Sequence, residues 1–315
     1  MDCLTNNFKN SFNLFLKLIT NDFYDIEEYV KAVKIVNEEV ELYRKSAIDI
    51  LKDTLNKNIY SCGMKNSVTD RKFENAPNLS NVIEFKNKHY CNNTLTVTIS
   101  GKISHAIKKY IINKLTLMKS ADCTIDTTFP QFKEISLLPS EVATGKQFIV
   151  GKRYIYPTNT FEDFLKLKIL GKLLGGSISS RLFTDLRETR GLVYSVYSYS
   201  DMFTNHSTLT VIVYVGSDKY KETIFLLESN LSKNKLLAIN SREFNKAKTL
   251  LSLNFAKEFS TNNTLSQFVS ECYAVYSLQL DYKKLVKIIK NISYNEFVDF
   301  CKSLNSDWYN SMVQY

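Results

Sequence analysis

Three histidines, at positions 89, 105 and 206, are the only imidazoles in 315 residues. No two of them stand four apart, so no helix face offers the paired nitrogens of a helical zinc site. His89 and His105 fall on a loop and a helix with no carboxylate at ligand spacing, and read as surface or capping residues. Six cysteines (3, 62, 91, 123, 272 and 301) are widely spaced and form no CxxC. That pattern fits buried free thiols in a reducing compartment better than a disulfide framework. Gly175-Gly176 lacks the companion glycines of a phosphate loop or a dinucleotide fingerprint. A helix C-cap followed by a tight turn is its expected role. No metal site and no cofactor site is therefore expected in this chain.

Composition narrows the function classes further. Lys and Arg number 41 against 32 Asp and Glu, a net charge of +9. The positive charge is spread along the chain without a long run, so nucleic-acid binding is not expected as a main function. Apolar residues make up 44% and charged residues 23%, a globular mix. No apolar stretch reaches the ~18 residues of a membrane span. The start MDCLTNNFKNSF has neither the apolar core of a secretory signal nor the arginines of a transit peptide. The expected location is the cytoplasm, with a mitochondrion or a mitochondrion-derived organelle as the alternative.

These residues sit on a mixed α and β pattern. Phe12, Phe15, Leu16 and Ile19 predict a helix over 8–20. Tyr29, Val33, Val36, Val40 and Tyr43 predict a longer one from 26 to about 56. Residues 60–80 read as a surface loop, and Ser80 opens a short helix. LTVTI at 95–99 alternates as a strand, and 103–118 returns to helix. Residues 119–140, with Pro130 and Pro139, form the best linker candidate. The second half reads as strand 147–155, helices 161–174 and 178–189, and strands 192–200 and 208–215. Helices near 219–232, 242–259, 264–277 and 294–303 follow, and a closing strand lies near 310–315.

The halves echo each other. EYVKA at 28–32 matches EFNKA at 243–247, Ser80 matches Ser293, and NTLTV from 93 matches NSMV from 310. The order is the same and the offsets are nearly equal, which suggests a duplicated α+β unit. On this reading the first copy lacks the counterpart of 136–215, including its early strands.

The stretch LGGSISSRLFTDLRETRGLVYSVYSYS (174–200) resembles the second-domain signature of the pitrilysin-type (M16) metallopeptidases, especially the group of mitochondrial processing peptidase and its bacterial relatives. Agreement of lower density covers nearly the whole chain. FKNSFNLFLKLITNDFYDIEEYVKAVKIVNEEVELY resembles the helix pair after that family's zinc motif, and FKNKHYCNNTLTVTISGKI resembles its first domain's closing strand. The resemblance implies an α/β fold of layered, α+β character: a duplicated domain, each copy an antiparallel sheet with helices on one face. The expected division is a partial first domain over 1–120, a linker over 121–135 and a complete second domain over 136–315.

In the family, an HxxEH motif and a downstream Glu bind zinc. This chain has no HxxEH. Glu39 matches the downstream ligand, so the motif would fall before Met1. An acidic residue that the family has seven positions earlier is Ala32 here. Glu39 reads equally as a solvated helix-face carboxylate beside Glu38 and Glu41. Arg187 and Tyr194 match an Arg/Tyr pair, spaced by seven, that reaches across the family's central chamber to the bound peptide. A guanidinium and a phenol are suitable donors to a carbonyl oxygen that gains negative charge. Otherwise Arg187 would pair with Asp185 or Glu188 on the surface, and Tyr194 would pack in its strand.

The resemblance implies a non-catalytic subunit that pairs with a zinc-bearing homologue and supplies Arg187 and Tyr194 to a shared peptide-cleavage chamber. The zinc is then expected in the partner, and the substrate is a peptide. Two alternatives stay open: the C-terminal part of an active peptidase whose zinc segment is missing, and a scaffold without proteolysis, like the core subunits of the respiratory bc1 complex.

Overall fold

The computed structural model describes residues 1–20, 25–61, 63, 68, 76–91, 94–118, 123, 132, 147–157, 160–305 and 307–314. The first half is helical: α1 (Phe8–Thr20), α2 (Ile26–Lys45), α3 (Ala47–Ile59), α4 (Leu79–His89) and α5 (His105–Thr116). Asp25 caps α2 by accepting from the Glu27 amide, and Glu27 and Glu28 complement the helix dipole. The helix expected over 26–56 is two helices. Ser46 is extended (ψ 104°) and its hydroxyl accepts from the Asp49 amide, so a local cap interrupts the apolar periodicity.

The second half begins with β1 (Gln147–Tyr156) and α6 (Phe161–Leu174). A π-helical turn (Phe183–Thr189), β2 (Val193–Met202) and β3 (Ser207–Gly216) follow. Then come α7 (Tyr220–Leu231), α8 (Lys233–Leu237), α9 (Ser241–Glu258), α10 (Asn262–Tyr276), α11 (Tyr282–Asn291), α12 (Tyr294–Ser303) and β4 (Trp308–Gln314). Among the described residues the four strands form one antiparallel sheet in the order β2-β3-β1-β4. Helix α11 was not expected. Its signal was present: Asp281 caps it, and Leu285 and Ile289, one turn apart, are buried.

Side chains alternate across β1 and build two cores. Phe148, Val150 and Tyr154 face the helical layer, where α6 is the central member and is buried nearly all round. On that face the Lys152 ammonium donates to Glu228 Oε1 (2.8 Å) and Asn310 Oδ1 (2.7 Å). Its burial pushes its pKa down, against the pull of Glu228. Ile149 and Ile155 face the other side, where α3 lays Leu51, Leu55 and Ile59 against them and Ile212. Each of these fully buried aliphatic side chains stabilises the packing by roughly 1.5–3 kcal/mol. Gly151 lets the helix approach: a Cβ there would stand 2.9 Å from Leu55 Cδ1 and 3.1 Å from Leu51 Cδ2. The buried Arg153 fastens the joint, donating to Asn56 Oδ1 (2.6 Å) on α3, Thr210 Oγ1 (2.8 Å) and Tyr199 Oη (3.2 Å).

Two expectations are corrected. Residues 95–99 are not a strand: among the described residues no chain pairs with them, and a strand exists only with a ladder partner. Free thiols hold for buried Cys272 and Cys301, whose burial pushes both up to about 12, and for exposed Cys3. Cys91 and Cys123, however, are joined as a disulfide with their Cα atoms 5.7 Å apart. The fold brings together two residues whose spacing in the chain gave no hint of pairing. His206, to which the spacing assigned no role, is buried. It is 1% exposed, its Nε2 lies 2.9 Å from Tyr60 Oη, and Phe203 stacks on its ring. The linker candidate and Cys62 lie outside the described residues, save Cys123 and Phe132; Phe132 forms a β-bridge with Tyr60.

Two predictions follow from the packing. Gly151→Val should lower stability by roughly 1–3 kcal/mol in urea unfolding, because α3 must back away. Adding Leu55→Ala to it should cost less than the roughly 2–5 kcal/mol of Leu55→Ala alone, since the new methyls fill the hole. Burial, with Arg153 nearby, pushes the His206 imidazole down to about 4 from 6.5. The unfolded chain therefore binds this proton first. Stability from the neutral ring is complete above pH 6.5 and falls as the pH drops toward 4, by about 3 kcal/mol in all. Urea unfolding across that window should show a shallower fall in His206→Gln than in the parent; identical slopes would contradict it.

Candidate functional site

The site expected from the sequence is built by two irregularities placed back to back. Helix α6 ends where the Gly175 amide donates to Gly171 O (3.0 Å). A Cβ at Gly175 would press on the backbone of Tyr197 and Ser198 at 3.1–3.2 Å, so glycine is needed for the turn to cross β2. The chain then forms the π-helical turn, anchored by buried Leu182 and Leu186. Arg187 is adjacent to Leu186 and lies on the solvent side. The turn closes through Gly191, at φ +60°, with its amide on Arg187 O (3.0 Å) and the Leu192 amide on Leu186 O (2.8 Å). Strand β2 starts at once and bulges: Val193 opposes Val215 and Ser195 opposes Tyr214, leaving Tyr194 between them. A π-turn and a β-bulge both re-aim side chains, and both are enriched at functional sites.

The result brings the expected pair together. The Arg187 guanidinium carbon lies 5.8 Å from the centre of the Tyr194 ring and 4.9 Å from that of Phe183. Tyr194 is 80% exposed, on the edge strand of the sheet. Among the described residues Arg187 forms no ion pair. Asp185, the partner considered from the sequence, is taken by Arg190 (2.9 Å) and by the Asn230 amide (2.8 Å). Burial works against the Asp185 charge, but those two hydrogen bonds hold its carboxyl below the ordinary value. Phe183, the second ring under the guanidinium, was not singled out from the sequence. Its position four residues before Arg187 was the available signal. Next to the pair, Tyr197 and Tyr214 stand 6.2 Å apart on the α3 side of the sheet. Burial and a hydrogen bond with Tyr214 push the Tyr197 phenol upward.

The residues weighed for zinc do not converge. His89 ends α4, exposed, with its ring 4.4 Å from Phe85. His105 begins α5 and Glu39 lies on the outside of α2, both exposed. His206 has Tyr60 on one ring nitrogen and Asn205 Oδ1 (3.1 Å) on the other. Among the described residues no three His, Cys, Asp or Glu side chains stand close enough to hold a metal ion. The residues present do not fit a zinc site. A cavity of about 540 Å³ between α6, α10 and the β2–β3 turn was not foreseen; Lys168, Asp201, Glu258 and Glu271 line it. Burial pushes Lys168 down despite these carboxylates. Four separate elements supply these groups, so no local motif announced them. No described helix is long and apolar enough to cross a membrane.

Comparison with known proteins identifies the fold and the family. The chain is 26% identical over 249 residues to the uncharacterized zinc protease YmxG of Bacillus subtilis, covering 78% of this chain and 60% of that relative. It is 21% identical over 318 residues to an uncharacterized zinc protease of Rickettsia felis, covering 96% of this chain and 74% of the other. The fold is similar to that of a protease from Helicobacter pylori, with a TM-score of 0.78 at 15% identity over 99% of this chain and 78% of that one. A chain in the structure of complex III2 from Candida albicans with Inz-5 bound gives a TM-score of 0.79 at 15% identity, covering 99% of this chain and 78% of that one. The chain thus spans about 60% of the length of the Bacillus relative. The model of the peptidase M16 inactive domain matches residues 78–251, more than half of the sequence, and the protein belongs to the M16 peptidase family.

Proposed function

We propose that this chain is a non-catalytic subunit of a heteromeric M16-type zinc peptidase and supplies Arg187 and Tyr194 to a peptide-cleavage chamber shared with a zinc-bearing homologue. The observation that carries the proposal is the state of the pair. Both side chains are exposed, held together by a turn and a bulge, and without a carboxylate partner among the described residues. Donors of this kind act strongly on a developing oxyanion only where water is excluded. Here they stand on open surface at the sheet's edge, so the second wall must come from another body. In that setting the guanidinium and the phenol donate to the scissile carbonyl oxygen as its charge grows. Metal chemistry belongs to the partner. Residues 1–120 form the partial first domain, 121–135 the linker and 136–315 the complete second domain.

A second reading rests on the relatives' lengths: the chain is the C-terminal part of a longer peptidase, and the same pair acts within one polypeptide. The coding sequence upstream of Met1 separates the two, since an HxxEH-encoding segment there supports the longer protein. The scaffold reading requires a pair without effect on cleavage.

In the reconstituted pair, Arg187→Ala and Tyr194→Phe should each lower kcat by about 100-fold with assembly intact, because each donor serves the transition state more than the bound substrate. Arg190→Ala, which removes only the ion pair with Asp185, should leave kcat unchanged. Unchanged activity in both single variants would assign this chain a scaffold role.

A further inference from the structure

Among the cations drawn into the second half, Lys168 stands apart. Lys152 and Arg153 are matched by hydrogen bonds within the fold. The Lys168 ammonium makes no hydrogen bond and joins no ion pair among the described residues. It lies over the rings of Phe164 (5.2 Å) and Phe255 (5.7 Å), where burial works against its charge. A desolvated ammonium without a polar partner is costly, and a group that meets it recovers that cost. Lys168 lines the cavity of about 540 Å³, a size within the range of about 300–1,000 Å³ for small-molecule pockets. All of the lining belongs to residues 164–275, so the first half of the chain contributes nothing to it.

Three carboxylates line the same cavity from three other elements. Asp201 stands near the end of β2, Glu258 at the end of α9 and Glu271 on α10. Each acts on Lys168 through space, and none reaches it. Each also has acceptor capacity to spare. Among the described residues Asp201 Oδ2 accepts from Thr208 Oγ1 (3.3 Å), Glu271 Oε1 accepts from the Gln267 amide (3.0 Å), and the Glu258 carboxylate accepts from nothing. These groups do not stand close enough together to hold a metal ion. Phe164, Met202 and Phe268 supply an apolar wall.

Charge and shape describe the occupant. One ammonium and three carboxylates leave the lining with a net charge of −2. A complementary molecule offers an anion to Lys168, more than one cationic donor to the carboxylates, and an apolar stem to the wall between them. We propose that this cavity is a binding site for a free α-amino acid with a basic side chain. Its α-carboxylate meets Lys168, its two cationic groups meet Glu258, Glu271 and Asp201, and its methylenes lie on Phe164 and Phe268. Asp201 is seven residues along β2 from Tyr194, roughly 23 Å at about 3.3 Å per residue. The site is therefore separate from the Arg187–Tyr194 pair, and its failure would leave that reading standing.

The test is calorimetric titration of the full chain with L-lysine, with cadaverine, which lacks the carboxylate, and with norleucine, which lacks the side-chain ammonium. L-lysine should bind one per chain, about 10-fold or more tighter than either analogue, the scale of one charge-assisted hydrogen bond. Lys168→Met keeps the apolar stem and removes an ammonium that has no polar partner to lose, so this variant should melt at or above the parent temperature. In it, L-lysine should bind no tighter than cadaverine. Glu271→Gln, at an exposed position, should weaken L-lysine binding about 10-fold in a chain of unchanged melting temperature. The proposal is overturned if L-lysine does not bind the parent chain, if the three molecules bind equally, or if the preference for L-lysine over cadaverine survives Lys168→Met.

Discussion

Helix α3 lies across the sheet face that the helical layer leaves bare, and the position of everything else follows from that contact. Leu51, Leu55 and Ile59 are withdrawn from solvent against Ile149, Ile155 and Ile212, over a strand that bears glycine where the helix comes closest. The polar stitches run along the same seam. Arg153 reaches Asn56 on the helix and Tyr199 on β2, and the Asn58 amide donates to Asn310 O on β4 (3.3 Å). This joint ties helix α3 of the first half to all four strands of the second. It also fixes the β2–β3 hairpin, because Tyr60, next after α3, closes over His206 beside that turn.

How much of this was legible in the residues depends on the range of the interaction. Helix α6, the strands β1 to β4 and the Arg187–Gly191–Tyr194 stretch were readable because each rests on local periodicity or on a glycine at a turn. The break at Ser46 was missed because a local cap outweighed the continuous apolar stripe. LTVTI was read as a strand on good grounds, yet pairing is a property of two segments and only one is present among the described residues. The Cys91–Cys123 bond and the burial of His206 were illegible for the same reason. Each depends on residues far apart in the chain, and composition argued the other way. The Tyr194 bulge had no local signal either; it arises from the register between β2 and β3.

The physics of the Arg187–Tyr194 pair runs opposite to that of the buried charges nearby. Lys152 and Arg153 are desolvated, and each is matched by hydrogen bonds within the fold. Arg187 is solvated and keeps its donor capacity free, stacked between two rings that restrict its rotamers without consuming its hydrogens. Such an arrangement lowers the entropy lost when the guanidinium meets an oxygen. Its value in water is small and becomes large only when a second surface excludes solvent.

The most direct test of this account is a double-mutant cycle in the reconstituted pair. Two donors on one oxygen are coupled, so Arg187→Ala combined with Tyr194→Phe should lower kcat by clearly less than the product of the two single effects. Single effects that multiply without coupling would contradict a shared oxyanion and place the two side chains in separate roles.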